Sequence, residues 1–292
     1  MRNFFLVIIA VILLGSTAAR AHDVLVIQGL RVKPFEEAFR GFRSVCAAQT
    51  RRLYLTDLER TDITRMIREE KPSLILAIGT DALTSVRKIT DIPILYLMVL
   101  NPQSNMHGNR NVTGVAMNVP PERYLDLLKR MSPTPKTVGL VYDPIKTGNF
   151  VKRAQRAAKA RGIELAVLEV SKPSDVPSTL NALKGMIDAL LMLPDTTVVT
   201  PETVEFFLLF SQNNSIPVIT FASKYVDMGA LLSLDIDGFD QGKQAGEMAR
   251  QILNGTAASD LPGVEARRAH VKANHNVAKK LGITLGTVDL QK

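Results

Sequence analysis

Few residues in this chain have the types and spacing to do chemistry, and they cluster at the ends of apolar runs. The clearest case is Ala189 to Leu193, which stops at Pro194-Asp195-Thr196-Thr197. The next helix has its own start signal in Thr200-Pro201-Glu202, with threonine at the cap, proline in the first turn and an acid beside it. Asp195 is therefore not needed as that cap. Its ordinary role is a side-chain turn onto Thr197; its functional role would be to accept a hydrogen bond from a ligand ammonium. A second cluster, Gly79-Thr80-Asp81, follows the run Leu74 to Ile78 and opens a helical stretch. Thr80 or Asp81 can cap that helix. Its first amides, with the Thr80 hydroxyl, also suit a carboxylate or phosphate. A third, Asp143-Pro144, follows Val138 to Tyr142, with Thr147 or Asn149 placed to start the next helix and to reach a ligand.

Other chemistry is missing. The chain has no GxSxG elbow, phosphate-binding GxxxxGK[ST] loop, HExxH, calcium loop or GxGxxG. The four histidines are scattered, and Cys46 is the single cysteine, so neither a metal-thiolate pair nor an internal disulfide is possible. Cys46 continues an apolar helical face with Phe35, Ala38, Phe39, Phe42 and Val45, which reads as a buried thiol. Asp235 and Asp237 alternate on a strand, yet acids there usually take backbone or solvent hydrogen bonds. Nothing assembles into a catalytic constellation, so the reading is of a protein that is not an enzyme and needs no cofactor or metal.

The elements that position these clusters are legible. Short β-branched runs alternate with helical patterns along the chain, and runs apolar on both faces indicate parallel sheets covered on two sides. The class is α/β. One order of elements occurs twice: residues 71–97 and 187–221 each run strand, polar loop, helix, then Ile-Pro into a strand. Each follows an earlier strand–helix–strand unit. Two Rossmann-like lobes with parallel sheets, joined by a multi-strand hinge, fit this duplication, and the crossings fall in 109–124, in 228–242 and near Pro262-Gly263. Asn118 and Asp237 lie in those crossings and are the expected hinge residues. The expected division is 22–118 with about 230–260 for the first lobe, and 119–229 with about 261–292 for the second. In open parallel sheets ligands bind beyond the carboxyl ends of the strands, so the clusters above would face one cleft.

Residues 1–21 carry Arg2, an apolar stretch from Phe4 to Leu14 and the small-x-small site Ala19-Arg20-Ala21, the pattern of a cleaved secretory signal. Its removal takes Arg2 and Arg20, lowering the formal charge from +8 to +6. An exported chain with no basic-aromatic cluster is not expected to meet nucleic acid.

Four stretches, "AIGTDAL", "NVTGVAMNV", "VDMGALLSLDIDGFDQGKQAGEMARQILNG" and "HNVAKKLGI", resemble the type 1 periplasmic substrate-binding proteins of ABC importers, in the group whose better-known members bind aromatic amino acids. The resemblance covers nearly the whole chain after the signal and is most specific over 223–256. It implies two lobes, three hinge crossovers, a monomer in the periplasm, a small ligand such as a free amino acid closed in the cleft, and transient delivery to an inner-membrane ABC permease. It implies no catalytic residues. By motif it makes Thr80 a ligand contact at the "GT" helix start, places Asp195 and Thr196 in the ligand loop, and puts Ser223 in a cleft-facing loop after an Ile-Pro strand. Gln28 stands in the ligand-side loop after the first strand, where Gln28-Gly29-Leu30 departs from the usual pattern. Asn101-Pro102 replaces the usual Asp-Pro, and Gly238-Phe239 replaces a common tyrosine pair. A periplasmic ligand-sensing module for a receptor or kinase would share every one of these features.

Overall fold

The computed structural model describes residues 23–57, 63–103 and 108–286. The expected signal, 1–21, lies outside them. The first part of the chain runs β1 (Val24–Gln28), α1 (Lys33–Val45), β2 (Thr50–Tyr54), α2 (Ile63–Glu70), β3 (Leu74–Ile78), α3 (Thr80–Val86), β4 (Ile94–Val99) and β5 (Val112–Ala116). A second series follows: α4 (Pro121–Leu128), β6 (Met131–Ser132), β7 (Thr137–Tyr142), α5 (Pro144–Lys159), β8 (Glu164–Glu169), α6 (Val176–Ala182), β9 (Ala189–Leu191), α7 (Pro201–Asn214), β10 (Val218–Thr220), α8 (Ser223–Asp227) and β11 (Leu232–Ile236). The chain ends in α9 (Gly238–Leu253), β12 (Val264–Glu265), β13 (Ala269–Ala273), α10 (His275–Lys280) and β14 (Thr284–Leu285).

These strands form two six-stranded sheets, ordered β12-β5-β4-β3-β1-β2 and β13-β11-β10-β9-β7-β8, with β6 and β14 in a small separate pair. All pairings in the first sheet are parallel; in the second, only β13 runs antiparallel, against β11. The continuous apolar runs take the central places. Every residue of β1, β3 and β4 is buried, because helices cover both faces. The edge strand β8 is half-exposed along its length.

The chain crosses between the lobes three times. It leaves the first after β5, through Asn118, and returns between β11 and α9, at Asp237. The last crossing lies between β12 and β13, where the Ala266 amide donates to the Asn118 carbonyl at 3.1 Å. β11 pairs within the second sheet and β12 within the first. Boundaries drawn near 230 and 261 cut ahead of each strand, so both crossings lie some residues later.

Helix α9 belongs to the first lobe because it packs directly on α1. A methyl at Gly242 would lie 1.8 Å from the Ala38 carbonyl oxygen, and one at Gly41 would lie 1.9 Å from that of Phe239. The two backbones touch where glycine permits it, fixing the returning segment to the lobe that the chain left earlier. Cys46, just past α1, is buried as expected, and burial raises its thiol pKa.

Two helix starts differ from expectation. Helix α5 begins at Pro144, not near Thr147 or Asn149, because Asp143 caps it by accepting from the Ile145 amide at 2.8 Å and proline suits the first position. Helix α3 is capped by Gly79, at φ +93°, so neither Thr80 nor Asp81 serves as its cap. The Phe35 ring lies 2.7 Å from where a Gly79 side chain would begin, a second reason for glycine there.

Candidate functional site

In the second lobe, the carboxyl ends of β7 and β9 are tied together by one buried carboxylate. Asp195 is 2% exposed and accepts four hydrogen bonds. Its Oδ2 takes the Asp143 amide at 2.9 Å and the Thr147 hydroxyl at 2.6 Å. Its Oδ1 takes the amides of Thr197 at 2.9 Å and Val198 at 3.1 Å. The Thr197 hydroxyl closes the loop by donating to Asp143 Oδ2 at 2.7 Å. Four donors fill the acceptor capacity of a carboxylate, so Asp195 is not the ammonium acceptor expected from its position. It makes the side-chain turn onto Thr197 and, in addition, locks the start of α5. The donors from α5 lie some fifty residues away in sequence, which is why spacing did not reveal them. Thr196, on the same loop, is exposed.

In the first lobe, Gln28 plays a similar internal part. It is fully buried, and its Nε2 donates to the Leu30 carbonyl at 2.7 Å and to Glu36 Oε1 at 2.9 Å. Arg52 donates to Glu36 Oε2 at 2.8 Å, and its guanidinium lies between the rings of Phe39 and Tyr54, 4.6 and 4.9 Å away. Burial pushes the Glu36 carboxyl up, but the hydrogen bonds from Gln28 and Arg52 outweigh it and hold the pKa below its ordinary value. Gln28 thus shapes the loop after β1 rather than offering its amide to a ligand. Thr80 and Asp81 stand exposed at the start of α3.

Between the lobes lies a continuous hollow made of two adjoining parts. One is lined by Tyr96, Asn101, Gln103 and Asn118 from the first lobe and by Asn149, Phe150 and Arg153 from α5, with Glu265 of β12. The other, of about 230 Å³, shares Asn101, Gln103, Asn149 and Phe150 and extends to Tyr142, Lys146, Lys152 and Glu169. Of the expected ligand contacts, Asn149 lines this hollow; Thr80, Asp81, Thr196 and Ser223 do not. Asn118, expected at the hinge, also lines it and donates to Asn101 Oδ1 at 2.9 Å. Asn101 sits at φ +44°, a left-handed conformation that asparagine tolerates better than most residues. It lies two residues past the end of β4, where Asn101-Pro102 stands in place of the usual Asp-Pro. Phe150, Arg153 and Glu265 gave no such signal.

The two acids expected to alternate on one strand are separated: Asp235 lies in β11, whereas Asp237 follows it as the cap of α9. Asp235 accepts from the Ser223 amide at 2.8 Å, fixing the loop after β10. Asp237 caps α9 through the Asp240 amide at 2.9 Å, and its Oδ2 lies 3.3 Å from His270 Nε2. Nearby, Arg153 spans the lobes. It makes a two-point pair with Glu122 of α4, at 2.8 and 3.1 Å, and reaches Glu265 of β12 at 2.6 Å. Among the described residues no group of three or more His, Cys, Asp or Glu side chains is arranged to hold a metal ion. No described helix is long and apolar enough to cross a membrane.

A family model described as ABC transporter substrate binding protein matches residues 56–288. A tyrosine-binding protein of Clostridioides difficile (strain R20291) is 27% identical over 232 residues, which are 76% of this chain and 65% of that protein. The match thus spans just under two thirds of that relative's length. The ligand-free, open structure of a substrate-binding protein with adhesive properties from Clostridium difficile superposes with a TM-score of 0.74 at 24% identity, covering 92% of this chain and 97% of that one. An ABC domain from Streptococcus pneumoniae in complex with L-Trp gives 0.66 at 20%, with the same coverage. A leucine-binding protein from Thermotoga maritima gives 0.56 at 14%, covering 91% of this chain and 99% of that one. At these identities the structures establish a shared two-lobed fold.

Proposed function

Because this chain belongs to the ABC transporter substrate binding protein family, we propose that it captures a small solute between its lobes and delivers it to an ABC permease in the inner membrane. The observation that carries this reading is the hollow walled by both lobes, with Asn101, Gln103 and Asn118 on one side and Asn149 and Phe150 on the other. A solute bonded to both walls favours the closed arrangement over the open one; one bonded to a single wall would shift nothing. Closure is rotation about the three crossings, with Asn118 and Asp237 as hinge residues.

The solute is an amino acid, and the tyrosine- and tryptophan-binding relatives point to an aromatic one. Asn149 meets it from the wall of the hollow; Thr80 and Asp81 of the first lobe, and Thr196 and Ser223 of the second, lie outside that wall and would reach it only as the lobes close. The leader at 1–21 directs export, placing the protein in the periplasm as a monomer without cofactor or catalytic activity. The test is to denature the purified protein and identify released small molecules by mass spectrometry. A captured amino acid supports the proposal. If none is released, and none of the common amino acids raises the melting temperature, the amino acid reading fails.

A further inference from the structure

With Asp195 saturated by internal donors, an amino acid in the hollow needs another carboxylate for its ammonium. Two carboxylates line that space, Glu265 and Glu169. Glu265 is already paired with Arg153 at 2.6 Å. Glu169, at the carboxyl end of β8, is exposed, and among the described residues its one polar partner is the Tyr142 hydroxyl, which donates at 2.7 Å. A carboxylate accepts about four hydrogen bonds, so capacity for an ammonium is left after Tyr142 has taken its share.

The surroundings match the rest of an α-amino acid. Lys146 and Lys152 line the same part of the hollow, yet neither is within ion-pair distance of Glu169. One wall therefore carries separated charges of both signs, the pattern that suits a zwitterion. The Phe150 ring and the Asn101 and Gln103 amides complete the lining. Burial, with the bond to Glu169, pushes the Tyr142 hydroxyl up to about 12, so it stays protonated and donates throughout the neutral range. A donating Tyr142 orients Glu169 through one of its oxygens and leaves the other oxygen to accept.

We propose that Glu169, positioned by Tyr142, is the acceptor for the ligand ammonium, and that it selects α-amino acids over the corresponding acids without an amine. This rests on the amino acid reading above. The experiment is calorimetric titration of wild type and Glu169→Gln with L-tyrosine, L-tryptophan and the deaminated 3-(4-hydroxyphenyl)propionate. Loss of one charge-assisted hydrogen bond is expected to weaken the binding of the L-amino acid about 10- to 100-fold. Binding of the deaminated acid is expected to be weak and the same in both proteins. Tyr142→Phe is expected to give a smaller loss confined to the amine-bearing ligand. If wild type binds the amino acid and Glu169→Gln binds it equally well, with matching melting temperatures, the role of Glu169 is overturned. If wild type binds neither amino acid nor any other, the amino acid reading falls, and this proposal falls with it.

Discussion

Replacing Asp195 with asparagine separates a structural carboxylate from a ligand-binding one. The substitution keeps shape and removes charge and half of the acceptor capacity. The new side-chain amide would retain one oxygen for Thr197 and Val198, but its NH₂ would face the Asp143 amide, now 2.9 Å from Oδ2. Two donors would then oppose each other in a buried place. The Thr147 hydroxyl can rotate to accept instead, so one donor is stranded rather than two. A stranded buried donor costs about 1–3 kcal/mol, and loss of charge assistance weakens the remaining bonds further. We expect a total of about 2–3 kcal/mol, which for a protein of this size is a fall in melting temperature of roughly 5–10 °C. Asp195→Ala strands the amides of Asp143, Thr197 and Val198, the Thr147 hydroxyl keeping the Asp143 carbonyl at 3.3 Å, and is expected to cost about 4–5 kcal/mol, at the top of the range for single substitutions. Thermal unfolding followed by circular dichroism measures both. A melting temperature within a degree of wild type, accompanied by a large loss of amino acid affinity, would refute this reasoning and restore Asp195 as the ligand's acceptor.

Three further outcomes are expected. Arg153→Met, which unties Glu265 of one lobe from α5 of the other, should weaken ligand binding about two- to five-fold, since half-exposed ion pairs contribute about 0.5–1 kcal/mol; the loss should shrink in high salt, as read by titration at two ionic strengths. Gly242→Ala should lower the melting temperature by several degrees, because its methyl would meet the Ala38 carbonyl oxygen at 1.8 Å. Elsewhere in a helix interior the same exchange stabilises by roughly 0.5–1 kcal/mol, so the sign of the shift is the readout. Asp126 has a depressed pKa, chiefly from its hydrogen bond with Arg161, so its contribution is present above the unfolded value and lost as pH falls through the folded one. Asp126→Asn should therefore lower stability modestly near neutrality, and its difference from wild type should vanish as pH falls through the folded value, as urea titrations from about pH 3 to 7 will show.

The parallel sheets were legible because their central strands are unbroken apolar runs, and the duplication of element order revealed two lobes rather than one large sheet. The proline-marked helix start at Thr200 was also readable, since capping is a local affair; Thr200 caps α7 as its residue types imply. What stayed hidden depends on contacts between distant segments. Asp195 read equally well as a turn residue or a ligand contact until Asp143 and Thr147 were brought to its other oxygen. Gln28 seemed available until Glu36 and Arg52 enclosed it. The glycine contact between α1 and α9 joins residues some two hundred positions apart, as Gly41 and Phe239 do. The Arg153 pair with Glu265 spans 112 positions, and no spacing rule connects them. Lobe boundaries near 230 and 261 were misplaced because β11 and β12 lie beside crossings, where apolar patterning runs on from one lobe into the other.

The central claim is that a small solute closes the two lobes on itself. Small-angle X-ray scattering of the wild-type protein, with and without saturating L-tyrosine, tests it most directly. The account predicts a smaller radius of gyration in the presence of ligand, and reversal on dialysis. An unchanged radius at a concentration where calorimetry shows the site to be full would contradict it.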